Sequence, residues 1–292
     1  MTTVTIKNPH NFDLRRSISG HGWYALPPFQ SNDDTSELQT VLTLSRSNHI
    51  VAKISESGSS VKISVLNRST VSRYHKNRIK SIVRSILRMD ESFDEFYSLC
   101  RKEPHLRWVP RLKAGRLLRS PTVFEDVMKM IFTTNCSWAL TKIMTVNMTT
   151  KLGTEVQKGI FSFPAPDAVA AKSERWLRQE ISCGYRAPYI LELCRNLSRN
   201  NVELESLRHS TLPTDELYGI LRSIKGIGHY AAGNLLKLLG RYDYLGIDSW
   251  VRRRFSEVHR NGRSVSDATI EKHYDRYGKW RGLVCWMEAM SG

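Results

Sequence analysis

The stretch Leu221-Arg-Ser-Ile-Lys-Gly-Ile-Gly-His-Tyr-Ala-Ala-Gly-Asn-Leu-Leu236 reads as two amphipathic helices joined by Lys225-Gly226-Ile227-Gly228. The two glycines permit a tight turn, and Ile227 between them is an apolar plug. Such a turn leaves N–H groups without partners at the start of the second helix, where the helix dipole also favours an anion. A DNA phosphate fits that description, so Lys225, Gly226, Gly228 and His229 are candidate contacts to a nucleic-acid strand. The plain alternative is a packing corner between two helices, with Lys225 and His229 solvated.

Beyond the hairpin, Gly240 ends the second helix and a short loop leads to Asp248-Ser-Trp-Val-Arg-Arg-Arg254. Asp248 stands just before a new helix. Its ordinary use there is as an N-cap that accepts a backbone N–H.

Taken together, the hairpin and the Gly246-Ile-Asp-Ser249 segment resemble the helix-hairpin-helix DNA glycosylases. Two other segments, Thr133-Thr-Asn-Cys-Ser-Trp138 and Gly184-Tyr-Arg-Ala187, look like their counterparts in the 8-oxoguanine glycosylase branch. The mixed N-terminal region also matches the bacterial 3-methyladenine glycosylases. The resemblance implies an α+β protein: a small mixed antiparallel sheet-and-helix domain over residues 1–92, then an all-α glycosylase domain over residues 93–292. That second domain would have two helical lobes with the active-site cleft between them.

The implied chemistry is release of a damaged base from double-stranded DNA in base-excision repair. A base stacked in a duplex must first be rotated out, and protein must fill the gap. By likeness, Asn135 is the plug, Tyr185 a wedge beside the opposite base and Arg186 a contact to that base. Their bland alternatives are a buried amide, a core tyrosine and a surface arginine. A further arginine of that branch is here Leu140, which weakens the case for strict choice of opposite base. Asp248 becomes the catalytic carboxylate, because breaking an N-glycosidic bond puts positive charge on the deoxyribose. It can also orient or deprotonate the attacking water.

Bifunctional members carry a lysine two residues after the second hairpin glycine, whose amine attacks the sugar. Here that position is Tyr230, so the reading is a monofunctional glycosylase without lyase activity. An alkylated purine is already cationic in the nucleoside and needs no second acid to depart, which makes it the favoured substrate. An oxidised or deaminated purine, or a DNA-binding module without catalysis, are the alternatives. Tyr230, Trp23, Gly20 and Trp250 are candidates for the base pocket, Gly20 through the segment Ser19-Gly-His-Gly-Trp-Tyr24; aromatic residues of this kind serve equally as core.

Composition agrees with a nucleic-acid partner. The net charge is +16, and residues 61–120 hold 15 basic against 5 acidic side chains. Neutralising phosphates releases condensed counterions, so such a bias favours a polyanion. Five scattered cysteines, with only Cys285 after Asp248, give neither a zinc knuckle nor an iron-sulfur cluster. No metal site is read from the sequence, although the resemblance allows a monovalent cation at the hairpin carbonyls. The N-terminal residues do not read as an export signal and no apolar run is long enough to span a bilayer. The expectation is a monomeric intracellular protein, in the nucleoid or nucleus with its DNA and without a membrane partner.

Local patterning fills in the rest. Ile50, Ala52 and Ile54, then Val61, Ile63 and Val65, alternate with polar residues around the turn Glu56-Ser-Gly-Ser-Ser60, which predicts paired strands. From Val71 the period becomes helical, with Lys76, Lys80, Arg84 and Arg88 forming a basic stripe. After Pro110 only helices are predicted, the first opening at Ser120-Pro121 with Phe124, Val127, Met128 and Ile131 facing inward.

Overall fold

The computed structural model describes residues 2–199 and 203–290. The chain runs β1 (Thr2–Lys7), α1 (Leu14–Ser19), β2 (Gln30–Ser31), β3 (Glu37–Ser45), β4 (Asn48–Ser57), β5 (Ser60–Val65), α2 (Arg73–Ile86), α3 (Asp94–Lys102) and α4 (Trp108–Arg111). It continues through α5 (Val123–Thr133), α6 (Trp138–Leu152), β6 (Glu155–Gln157), β7 (Ile160–Phe161), α7 (Pro166–Ala170), α8 (Glu174–Trp176) and α9 (Ala187–Ser198). The last five helices are α10 (Thr214–Ser223), α11 (His229–Leu239), α12 (Ser249–Arg260), α13 (Asp267–Tyr274) and α14 (Arg281–Ala289).

Two compact units form, each from two pieces of chain: residues 1–91 with 116–205, and residues 92–115 with 206–292. The first holds an antiparallel sheet of order β1-β5-β4-β3-β2. Ile54 pairs with Ile63 and Ala52 with Val65, and these inward residues are fully buried. The alternation therefore predicts both strands and their buried face. Thr2–Lys7, which the sequence reading did not mark as a strand, completes the sheet by pairing with β5.

Helix α2 buries Ile79, Ile82, Val83 and Ile86 as its period requires. The basic stripe is shorter than predicted. The helix stops at Ile86, and Arg88, at φ +54°, turns inward, where its guanidinium Nε lies 2.9 and 3.0 Å from the two Glu91 carboxylate oxygens. Helix α5 opens at Thr122, whose hydroxyl accepts the Glu125 N–H, instead of at Ser120. The hairpin β6–β7 interrupts what reads from sequence as helices alone.

In the second unit α3 and α4 join α10–α14. Phe93, Phe96, Tyr242 and Trp280 form an aromatic core, with Phe96 5.2 Å and Tyr242 5.3 Å from Trp280 between ring centroids. This cluster accounts for residues 92–115 belonging with the C-terminal helices. No helix among the described residues is long and apolar enough to cross a membrane.

Candidate active site

In the second unit, residues 224–228 turn the chain from α10 into α11. Gly226 takes φ +89°, a left-handed value that favours glycine. Ile227 is buried at 3% exposure, its N–H donating to the Ile224 carbonyl at 3.0 Å and its own carbonyl accepting Arg222 Nη1 at 2.9 Å. The plug and the tight turn are thus as the sequence reading has them. Gly228 caps α11 with extended backbone and no side chain, so the first N–H groups of the helix meet no side-chain cap. That is the local requirement for holding an anion. Lys225 and His229 are exposed beside it. The His229 ring shares a hydrogen bond with the Tyr218 hydroxyl, and Tyr218 stacks on Tyr244 at 4.4 Å.

Asp248 begins α12. Its Oδ1 accepts the Val251 N–H at 2.8 Å, so it is the N-cap that its position predicts. Oδ2 accepts no hydrogen bond among the described residues. The side chain is half-buried, and Trp250, two residues on, is 45% exposed with the Arg253 guanidinium 4.9 Å from its ring centre. Of the neighbouring arginines, Arg252 is committed to Asp267 through two contacts of 2.7 and 2.8 Å.

What positions Asp248 is close packing of its loop against α11. A methyl group on Gly233 would lie 2.3 Å from the Leu245 carbonyl oxygen, and one on Gly246 would lie 2.3 Å from Asn234 Nδ2. Asn234 in turn donates to the Tyr230 carbonyl at 3.0 Å. Gly233 and Asn234 are functional candidates that the motif reading passes over. The available signal was a glycine in mid-helix, which costs about 1 kcal/mol relative to alanine unless something must come close.

One turn beyond Asn234 lies Lys237, only 3% exposed. Burial draws its ammonium down to about 8, against the opposing pull of Cys285 and Asp248. Its depressed folded value means that the unfolded chain binds more protons between about pH 8 and 10.5, so this group makes stability rise with pH in that window. The stability of Lys237→Met relative to the natural protein is therefore expected to be most favourable near pH 7. It should shrink by roughly 2–3 kcal/mol towards pH 10.5, as read by urea unfolding at each pH.

In the first unit Asn135, Tyr185 and Arg186 come together. Asn135 sits at φ +47°, just after α5, and its Nδ2 donates to the Tyr185 hydroxyl at 3.3 Å. Tyr185 is 45% exposed. Arg186 is buried: its guanidinium donates to the Ile131 carbonyl at 3.2 Å and to that of Thr134, and lies 4.6 Å from the Tyr185 ring centre. Those bonds hold the 131–135 turn and the Tyr185 ring in place.

The N-terminal pocket candidates are placed differently. Trp23 is 2% exposed and its indole N–H donates to Asp126 Oδ1 at 2.8 Å. Gly20 is a close-packing glycine, since a methyl group there would meet the Arg116 carbonyl oxygen at 2.1 Å. A methyl group on the neighbouring Gly22 would lie 3.1 Å from the exposed Trp138 ring.

The chain shares its fold with solved DNA glycosylases. The chain is similar to the 3-methyladenine DNA-glycosylase from Archaeoglobus fulgidus, with a TM-score of 0.76, 20% identity and coverage of 99% of this chain and 97% of that one. The 8-oxoguanine glycosylase/lyase of Clostridium acetobutylicum gives 0.77 in its apo form, at 18% identity over 99% and 96% of the two chains. The same enzyme in complex with double-stranded DNA containing cytosine opposite 8-oxoG gives 0.75, at 17% identity over 100% and 97%. No family model and no curated protein matches the sequence. At these identities the likeness establishes the fold.

Proposed function

We propose that the protein is a DNA glycosylase that removes a damaged base from duplex DNA, with Asp248 as its catalytic carboxylate. The observation that carries this reading is the state of Asp248: one oxygen fixes it to the backbone of α12 and the other accepts no hydrogen bond among the described residues, on a loop packed without space against the second hairpin helix. A carboxylate held this way stabilises the positive charge that develops on the sugar as the base departs, and it needs no reorganisation to do so. That second oxygen is also the one that can take a proton from water. The N–H groups at the start of α11 would hold a backbone phosphate, with Lys225 and His229 adding charge and hydrogen bonds. Asn135 and Tyr185 would fill the gap left by the extruded nucleotide, and Arg186 would act through them by holding both.

The leaving base is read as an alkylated purine. Such a base departs as a neutral molecule from a cationic nucleoside, which suits a site with one carboxylate and with Tyr230 where an amine nucleophile would stand. The only amine nearby in α11 is that of Lys237, which is enclosed. The Asn135–Tyr185 pair supports the second reading, an oxidised or deaminated purine. Duplexes that each carry one lesion separate the two, scored for free base and for strand cleavage before and after alkali. Free base from the alkylated duplex, with the strand cut only after alkali and no adduct trapped by borohydride, is expected. Strand cleavage without alkali, or an adduct lost in Lys225→Ala, contradicts the water-dependent route.

Asn135→Ala is expected to lower base release at least tenfold. Its cost in stability should stay near 1 kcal/mol, the strain of alanine in the left-handed region. Release measured beside thermal unfolding checks it; equal release with lost stability would make Asn135 a structural residue.

A further inference from the structure

A second cluster of chemistry-bearing side chains lies in the C-terminal helices, at the opposite end of α12 from Asp248. His259 is near the end of α12, His273 is on α13 and Glu288 is on α14. One donor atom of each lies within 4.8 Å of the other two. His259 Nε2 is 3.1 Å from Glu288 Oε2, and the two imidazole centroids are 4.3 Å apart. Glu288 is 5% exposed. Its Oε2 also receives the Tyr274 hydroxyl, and its Oε1 lies 2.6 Å from His105 Nε2. The Nε2 atom of His273 is enclosed and has no hydrogen-bond partner among the described residues.

Two features separate this cluster from an ordinary hydrogen-bonded network. Buried polar atoms are nearly always paired, and a network evolved for hydrogen bonding alone would give the second imidazole a partner. Two imidazoles and one carboxylate are also the donor set that zinc accepts, with bonds of about 2.0–2.1 Å in a tetrahedral arrangement. Such bonds put donor atoms about 3.3 Å apart. The His259–Glu288 edge, at 3.1 Å, already has nearly that length, and the third donor lies within 4.8 Å of both.

We propose that His259, His273 and Glu288 bind a divalent cation of the zinc type. Around this site Tyr274 acts as a positioning residue, hydrogen-bonded to Oε2 of Glu288, while His105 lies in close contact with Oε1, as outer partners surround a metal-ligating carboxylate. The cation ties α12, α13 and α14 together. Asp248 and His259 are 11 residues apart on one helix, about 16 Å along its axis at 1.5 Å per residue. The cation is therefore remote from the proposed chemistry on the sugar, and its work is to fix the helix that Asp248 caps.

The test uses the full chain, stripped with a chelator and titrated with zinc chloride by calorimetry and in thermal unfolding. One equivalent is expected to bind and to raise the melting temperature. His273→Asn and His259→Asn should each weaken zinc binding at least tenfold, and His105→Gln about 10- to 100-fold. His10→Gln should leave it unchanged. Because a variant can lose stability for other reasons, histidine ring resonances of the natural protein are followed as well. Zinc should shift those of His259 and His273 and leave His10 in place. Absence of stoichiometric uptake, binding unchanged in both asparagine variants, or zinc shifts confined to other histidines would each overturn the proposal.

Discussion

Glu125→Ala is expected to destabilise the protein by about 3–5 kcal/mol, because it strands a buried ammonium. Lys129 and Glu125 face each other one helical turn apart in α5, Nζ to Oε1 at 2.6 Å, with side chains 0% and 4% exposed. The lysine has a hydroxyl, Ser120 Oγ, at 3.4 Å and the Phe29 ring at 4.7 Å, neither of which carries a counter-charge. Burial pushes the Glu125 carboxyl upward, against the pull of Lys129, so the pair is held together at a desolvation cost. Removing the carboxylate leaves that cost without the attraction. Removing both charges with groups of similar volume, as in Glu125→Leu with Lys129→Met, should restore most of the loss. Urea unfolding of the single and double variants checks this; a single variant within 1 kcal/mol of the natural protein would mean that water reaches the pair.

This helix also marks the limit of what the sequence makes legible. Periodicity points Phe124, Val127, Met128 and Ile131 inward, and all four are buried. Yet Glu125, Asp126 and Lys129 are buried too, because α5 is enclosed on every side. A charged residue reads as a solvated one unless its partner is known, and the partners of Asp126 include Trp23, 103 residues away, and the Ser120 N–H. The same long-range contact removes Trp23 from the candidate base pocket and puts it in the core. The hairpin, by contrast, is local: two glycines, a plug and two apolar faces lie within sixteen residues, and the turn forms as they dictate. Asp248 is intermediate. Its capping role follows from the next helix alone, whereas its placement depends on Gly233 and Gly246 meeting across a loop.

Asp248→Asn is expected to abolish base release while leaving the fold intact. Asparagine and aspartate cap helices about equally well, so the Val251 hydrogen bond and the start of α12 survive the change. What disappears is the negative charge of the carboxylate. A preorganised group aimed at developing charge is worth about 10²–10³-fold in rate, and a full carboxylate beside a cationic sugar at least that. DNA affinity should hold or rise slightly, since a negative charge near phosphates is removed.

The decisive measurement is single-turnover release of an alkylated purine from a duplex, with protein in excess, for the natural chain and Asp248→Asn in parallel with DNA affinity and melting temperature. Release that falls at least 10²-fold at unchanged affinity and melting temperature is the predicted result. Release by Asp248→Asn at the natural rate would contradict the assignment of Asp248, and no release by the natural protein from any lesion would leave a DNA-binding module in place of the enzyme.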